Sequence, residues 1–210
     1  MKDKVLNKED EQKMVRAVLL NDRNAILQLI RLYERLVVSL VFKMIDRDAD
    51  REDLCQDVFM KVFSNLKEFK FESKLSTWIA QITYHLCLNF LQKKKNLFIE
   101  DVFKPLNGYG TDFETHDNTE LITKDFSHQE TEMPDEILYQ NETNRNLHAA
   151  IEKLPVLFRT LIELYHIEEM SYAEISTITK LPMNTVKSYL FRARKMLKDS
   201  LIHQFKIVHP

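Results

Sequence analysis

Both glycines of this 210-residue chain, Gly108 and Gly110, stand one residue apart, and no other part of the sequence contains one. Glycine averages about 7% of ordinary domains, and its scarcity removes the glycine-rich loops with which nucleotide-using enzymes cradle phosphates. It also favours helices, whose interiors glycine destabilises by about 1 kcal/mol relative to alanine. Such a chain is expected to be helical, with turns built from other residues.

The glycines also mark a boundary. Residues 99–140 hold 2 cations and 11 anions, together with Pro105 and Pro134, and follow no sustained period of 3.6 or 2. Residues 1–98 hold 18 cations and 14 anions, and residues 141–210 hold 10 and 7. A net charge of -9 between +4 and +3 accounts for the overall -2, so the chain reads as two mildly basic modules joined by an acidic tether. No apolar run approaches the roughly 18 residues needed to cross a bilayer. The start, "MKDKVLNKEDEQKMV", lacks the apolar centre of a signal peptide, so a cytoplasmic protein without membrane insertion is expected. Cys55 and Cys87 lie in apolar helical patterns without metal-ligand spacing, and inert thiols with no metal or cofactor are expected.

Apolar residues recur at helical spacing over 11–20, 25–45, 53–66 and 76–92, predicting a four-helix bundle in the first module. The breaks are expected at 21–24 and at the acidic run 46–53, with Ser76 as the cap of the fourth helix. In the second module Pro155 suits the first turn of a helix running to about His166. Ser171 and Glu174 have capping-box spacing, and after a break at 180–183 a further helix begins, giving a helix-turn-helix.

On a helical wheel of that last segment Val186, Leu190, Ala193 and Leu197 fall together, while Asn184, Ser188, Phe191 and Lys195 lie opposite, flanked by Lys187 and Arg192. From Ile175 to Lys198 there are six cations and no carboxylate. A solvated face usually mixes signs and does not expose a phenylalanine, so the pattern fits a helix that reads duplex DNA. Lys187 and Ser188 would meet base edges, Phe191 a thymine methyl, and Arg192 and Lys195 phosphates. In the first module Asp46, Asp48, Asp50 and Asp57 have the spacing of a calcium loop, but Arg51 occupies the position that needs glycine, and no calcium site is expected. Asp53, Gln56 and Asp57 form a polar helical stripe suited to a partner. Thr77, Trp78, Tyr84, His85 and Asn89, followed by Lys93, Lys94 and Lys95, suit a stacking platform for unpaired bases, or equally a core aromatic with a lysine-rich helix end.

"DLCQDVFMKVF", Phe69 and "STWIAQI", followed by "EEMSYAEI" and "LPMNTVKSYLFRARKML", resemble the two defining regions of sigma-70-family initiation factors. The short two-domain form is similar to the extracytoplasmic function group, over residues 9–98 and 145–201. The resemblance implies an all-α protein: region 2 as a four-helix bundle (1–98), an acidic flexible linker (99–140) and a helix-turn-helix region 4 (141–210). It implies a transcription initiation factor, not an enzyme and with no catalytic residue, that binds core RNA polymerase, recognises promoter DNA and helps to melt it. A monomer when free, restrained by an anti-sigma partner, is expected. By motif position Asp53, Leu54, Gln56, Asp57 and Phe59 match the core-binding helix. Lys74, Ser76, Thr77, Trp78, His85 and Asn89 match the segment that reads the minus-10 element and captures a flipped base. Asn184, Thr185, Lys187, Ser188, Phe191, Arg192 and Lys195 match the minus-35 reader.

The departures are specific. Tyr84-His85 stands where the family commonly has Arg-Asn, which leaves the preferred minus-10 base unspecified. Lys180 and Asn184 replace frequent glycines of the helix-turn-helix; a lysine in a left-handed turn costs about 1 kcal/mol, and asparagine accepts such a conformation readily. Arg51 replaces an alanine and is expected at the surface. A stand-alone helix-turn-helix regulator would leave "DLCQDVF" without a role, and a metal-dependent hydrolase would need convergent ligands that the sequence lacks.

Overall fold

Side-chain caps set the first two helices. Asn7 Oδ1 accepts from the Asp10 N–H (2.8 Å) to start α1 (Lys8–Leu19), and Asp22 Oδ1 accepts from Asn24 N–H (2.8 Å) to start α2 (Arg23–Met44). Then follow α3 (Asp48–Asn65), a 3-10 turn (Leu66–Glu68) and α4 (Leu75–Lys95). The computed structural model describes residues 7–95 and 145–208, so the expected linker at 99–140 lies outside the described residues. The second half holds α5 (145–152), α6 (Val156–Ile162) with its π-helical continuation Glu163–Ile167, α7 (Tyr172–Thr179) and α8 (Met183–Val208). Among the described residues all regular structure is helical. Turns that glycine would ordinarily make fall to Asn21, Phe71, Glu169 and Lys180, each with φ between 51° and 60°.

Several local expectations are corrected. The break expected over 46–53 is shorter, with only Ile45 to Arg47 between α2 and α3; the rest of the acidic run opens α3, where Asp48 and Asp50 lie in a first turn whose dipole favours carboxylates. Arg51 is anchored instead of lying loose at the surface. Its Nε donates to the Ile45 carbonyl at the end of α2 (2.7 Å), its guanidinium pairs with Asp48, and it sits 4.4 Å over the Phe42 ring. Arg51→Ala should therefore lower stability by about 1–2 kcal/mol in urea unfolding, because the α2 carbonyl loses a charged donor.

Ser76 does not cap α4, which starts at Leu75. The Leu75 N–H is instead satisfied by Glu11 Oε1 of α1, 3.3 Å away. Burial raises the Glu11 carboxyl pKa, against the lowering effects of that hydrogen bond and of Lys74. Pro155 is the cap of α6 and not a first-turn residue. That helix widens at Glu163, where Glu168 N–H bonds Glu163 O (3.0 Å) and Met170 N–H bonds Leu164 O (2.9 Å). Periodicity carries no sign of this wider turn.

Helix α2 is the axis of the molecule. Its Leu29, Val37, Leu40 and Val41 are fully buried, with Val58 and Val62 of α3 and Leu75, Ile79 and Cys87 of α4. In the second half Leu161, Leu164, Ile175, Ile178, Val186, Leu190 and Ala193 are buried equally. The apolar side chains of both halves form one contiguous cluster. Burial pushes the Cys87 thiol up to about 12 and raises Cys55 as well, so neither is a thiolate near neutral pH.

Candidate nucleic-acid interface

The helix-turn-helix is built as its spacing predicts. Ser171 Oγ accepts from Glu174 N–H (3.3 Å) while Glu174 Oε2 accepts from Ser171 N–H (2.9 Å), starting α7; Lys180 in a left-handed conformation (φ 59°, ψ 20°) ends it. Asn184 lies in the first turn of α8, so Lys180 alone of the two positions takes the left-handed form. Val186, Leu190 and Ala193 are buried and Leu197 half-buried. Asn184, Lys187, Lys195 and Phe191 are exposed, Phe191 at 53%, whereas Thr185, Ser188 and Arg192 are half-exposed. The Ser188 hydroxyl donates back to Asn184 O and Thr185 O (3.0 Å each), which turns it outward as an acceptor.

An aromatic frame that the sequence reading missed steadies these cations. Tyr165 stacks on Tyr172 (4.9 Å, 18°), Lys187 Nζ lies 5.7 Å from the Tyr172 ring, and the Arg194 guanidinium lies 5.0 Å from the Tyr165 ring. Arg194 Nε donates to His166 Nε2 (3.2 Å). Burial, and then the Arg194 charge, lower the His166 pKa, which keeps the ring a neutral acceptor. The signal was the pair of tyrosines seven apart, flanking "HIEEMS".

The start of α4 holds Trp78, half-buried, with its ring 5.3 Å from Phe69, which in turn lies 4.7 Å from Phe71. Tyr84 is core, 1% exposed, so of the Tyr84-His85 pair only His85 comes near the surface. His85 is half-buried; burial and then the nearby Lys180 lower its pKa, against the raising effect of the Ile178 backbone. Thr77 is 1% exposed, and its Oγ1 donates to Glu174 Oε1 (3.3 Å). Lys74 Nζ lies 2.9 Å from the same oxygen. Lys74, Thr77 and His85 thus gather against α7, Asn89 is exposed further along α4, and Ser76 is half-exposed. Burial alone would raise the Glu174 carboxyl, but its Ser171 hydrogen bonds and the Lys74 contact prevail and hold it at about 2.

On α3, Asp53, Gln56 and Asp57 form an exposed stripe at i, i+3 and i+4. Met60, 70% exposed, extends it by one turn, an apolar residue that the polar pattern does not mark. Leu54 is 5% exposed and Phe59 half-buried, its ring 6.4 Å from Phe63, so these two anchor the helix and leave the stripe outward. Among the described residues no group of three His, Cys, Asp or Glu side chains could hold a metal ion, and no helix is long and apolar enough to cross a membrane.

Comparison with known proteins matches residues 29–97 to sigma-70 region 2 and residues 144–197 to sigma-70 region 4. The chain is 28% identical over 193 residues to the ECF RNA polymerase sigma-E factor of Haemophilus influenzae, covering 91% of this chain and 95% of that one. It is 26% identical over 190 residues to the ECF RNA polymerase sigma factor SigW of Bacillus subtilis, covering 90% and 96%. Among solved structures, its fold is similar to CnrH in complex with the cytosolic domain of CnrY: TM-score 0.55, 17% identity, coverage 90% and 96%. It is also similar to the sigma factor RpoE in complex with the anti-sigma factor NepR from Bartonella quintana: TM-score 0.53, 21% identity, coverage 83% and 94%.

Proposed function

The chain belongs to the sigma-70 family of RNA polymerase sigma factors, in its extracytoplasmic function group, and from that premise we propose that it docks on core polymerase through α3, reads a minus-35 element with α8 and holds the minus-10 strand at the start of α4. Catalysis stays with the polymerase. The observation that carries this reading is the pairing of two outward faces on separate helices: the Asp53, Gln56, Asp57 stripe of α3 and the Lys187, Phe191, Lys195 face of α8. A stand-alone DNA binder needs only the second.

In this mechanism the N-terminal part of α8 enters the major groove, Lys187 and Ser188 toward base edges and Arg192 and Lys195 toward phosphates. Lys74, Ser76, Thr77, Trp78, His85 and Asn89 would receive the unpaired strand, where stacking is worth about 1–3 kcal/mol per base. The work is done beside the polymerase, in the cytoplasm. CnrY and NepR bind the two structural neighbours, and a comparable anti-sigma protein is the expected restraint here. Mobility shift on a forked promoter fragment tests the division of labour: a stable complex is expected with core polymerase and chain together and little with the chain alone. Tight duplex binding by the chain alone, indifferent to core, would favour the stand-alone regulator.

A further inference from the structure

Glu11 carries a carboxylate into the interior of the molecule. With Met14, Val15 and Val18 it forms the buried face of α1, and it is 9% exposed among those apolar neighbours. The exposed Glu9 and Asp10 already place carboxylates in the first turn of α1, where the helix dipole favours them. A third acid turned inward is costly unless a donor meets it. The donor is the Leu75 N–H at the first residue of α4, 3.3 Å from Glu11 Oε1.

That end of α4 lacks a cap of its own. A helix start leaves four N–H groups without partners in the helix, and a side-chain oxygen on the residue before it ordinarily accepts from one of them. Here that residue is Lys74. Its carbonyl accepts the first helical bond from the Trp78 N–H (3.1 Å), but its ammonium is a donor only. Glu174 holds that ammonium (2.9 Å), and the tie from α1 runs to the backbone. The loop before α4 is held at its other end by aromatics: Phe69 is buried, 5.3 Å from the Trp78 ring, and 4.7 Å from Phe71, whose φ of 58° a phenylalanine keeps only when its surroundings enforce it. Phe69 thus fixes the entry of the loop and Glu11 its exit.

Four of the six residues assigned to the minus-10 strand, Lys74, Ser76, Thr77 and Trp78, lie within three residues of Leu75. The sigma-70 region 2 match begins at residue 29, so this support comes from a helix outside the matched segment. We infer that Glu11 is a positioning residue for strand capture: from α1 it fixes the first turn of α4, so that Trp78 and its neighbours meet the unpaired strand already ordered. Without that tie the turn must be ordered at the moment of binding, and affinity falls with the fraction of molecules in which it is formed. The inference rests on the reading of α4 as the strand site.

Three variants of the full chain test it. Glu11→Met keeps the volume on an apolar face and removes the acceptor, whereas Glu11→Gln keeps an oxygen within reach of the Leu75 N–H. Val15→Ala weakens the same face of α1 one turn further on, leaves the acceptor in place, and is the control for stability. Trp78 is the only tryptophan of the chain, so its quenching by acrylamide in the free protein reports the first turn of α4 directly. Glu11→Met should raise the quenching constant about twofold. With core polymerase it should bind a forked fragment of a promoter that the parent transcribes about tenfold more weakly, and a duplex carrying only the minus-35 element equally well. Glu11→Gln and Val15→Ala should stay near parent values in each assay, even where the urea midpoint of Val15→Ala is the lowest of the set.

Parent-like quenching and fork binding by Glu11→Met overturn the inference. So does an equal loss in Val15→Ala, which would assign the effect to the stability of α1. A Glu11→Gln variant as weak as Glu11→Met overturns it as well, because the charge and not the hydrogen bond would then be at work. In each of these cases the parent complex still prefers the fork, and α4 stands as the strand site. A parent complex that binds the fork no better than the minus-35 duplex removes that reading, and the inference with it.

Discussion

Asp57→Arg should lower affinity for core polymerase by about 100-fold, close to 2.7 kcal/mol, with the melting of the protein itself unchanged. Asp57 is exposed on the α3 stripe, and the side chains that hold the helix in place, Leu54, Val58 and Val62, are buried and do not include it. Reversing a charge at the centre of an interface replaces an attraction by a repulsion and leaves the opposing cation unpaired. The same change on an exposed surface normally moves folding stability by less than about 0.5 kcal/mol. Fluorescence titration of labelled chain with core polymerase gives the affinity, and a urea melt of the free variant gives the fold. Loss of both together would mean that α3 carries structure instead of a docking face.

Lys187→Glu should cost at least tenfold in transcript from a promoter with an intact minus-35 element, and almost nothing once that element is scrambled. Lys187 projects from the first turns of α8 with its ammonium against Tyr172, which limits the conformations available to a long side chain. One base-edge contact is worth about 1–3 kcal/mol of discrimination, and an anion at that position adds repulsion from the phosphates. Removing the aromatic support by Tyr172→Leu should give a smaller loss of the same kind. An equal loss on intact and scrambled templates would assign Lys187 to general electrostatic attraction and not to reading.

How much of this was legible in the residues varies with the type of interaction. The buried face of α8 followed from period alone, because Val186, Leu190 and Ala193 repeat at helical spacing and each lands at 0% exposure. The Ser171–Glu174 box was equally plain, since both partners sit within four residues. Lys180 was legible as a glycine substitute only through the family resemblance, which usually has glycine at that turn; its left-handed backbone bears the substitution out.

What escaped depends on contacts between residues far apart in the chain. Glu11 satisfies the start of α4 from 64 residues away, and no local pattern could displace Ser76 as the apparent cap. Arg51 read as a surface residue because its acceptor, the Ile45 carbonyl, carries no side-chain signature. The polar contacts between the halves were missed for the same reason, though they left a trace: Arg159 and Glu163 interrupt an otherwise apolar helix, and both are buried. A charge on an apolar face asks for a partner, and Asp46 and Ser39 supply it from α2. Among the site residues the same logic separates Asp57, outward by period, from Thr77, whose near-complete burial is decided by α7 and not by α4.

Run-off transcription from genomic fragments with purified core polymerase tests the central claim most directly. Discrete, template-dependent transcripts are expected from core plus chain, none from core alone, and a strong reduction with Asp57→Arg. No specific transcript on any fragment, while the chain alone protects duplex DNA from cleavage, would contradict a promoter-directing role.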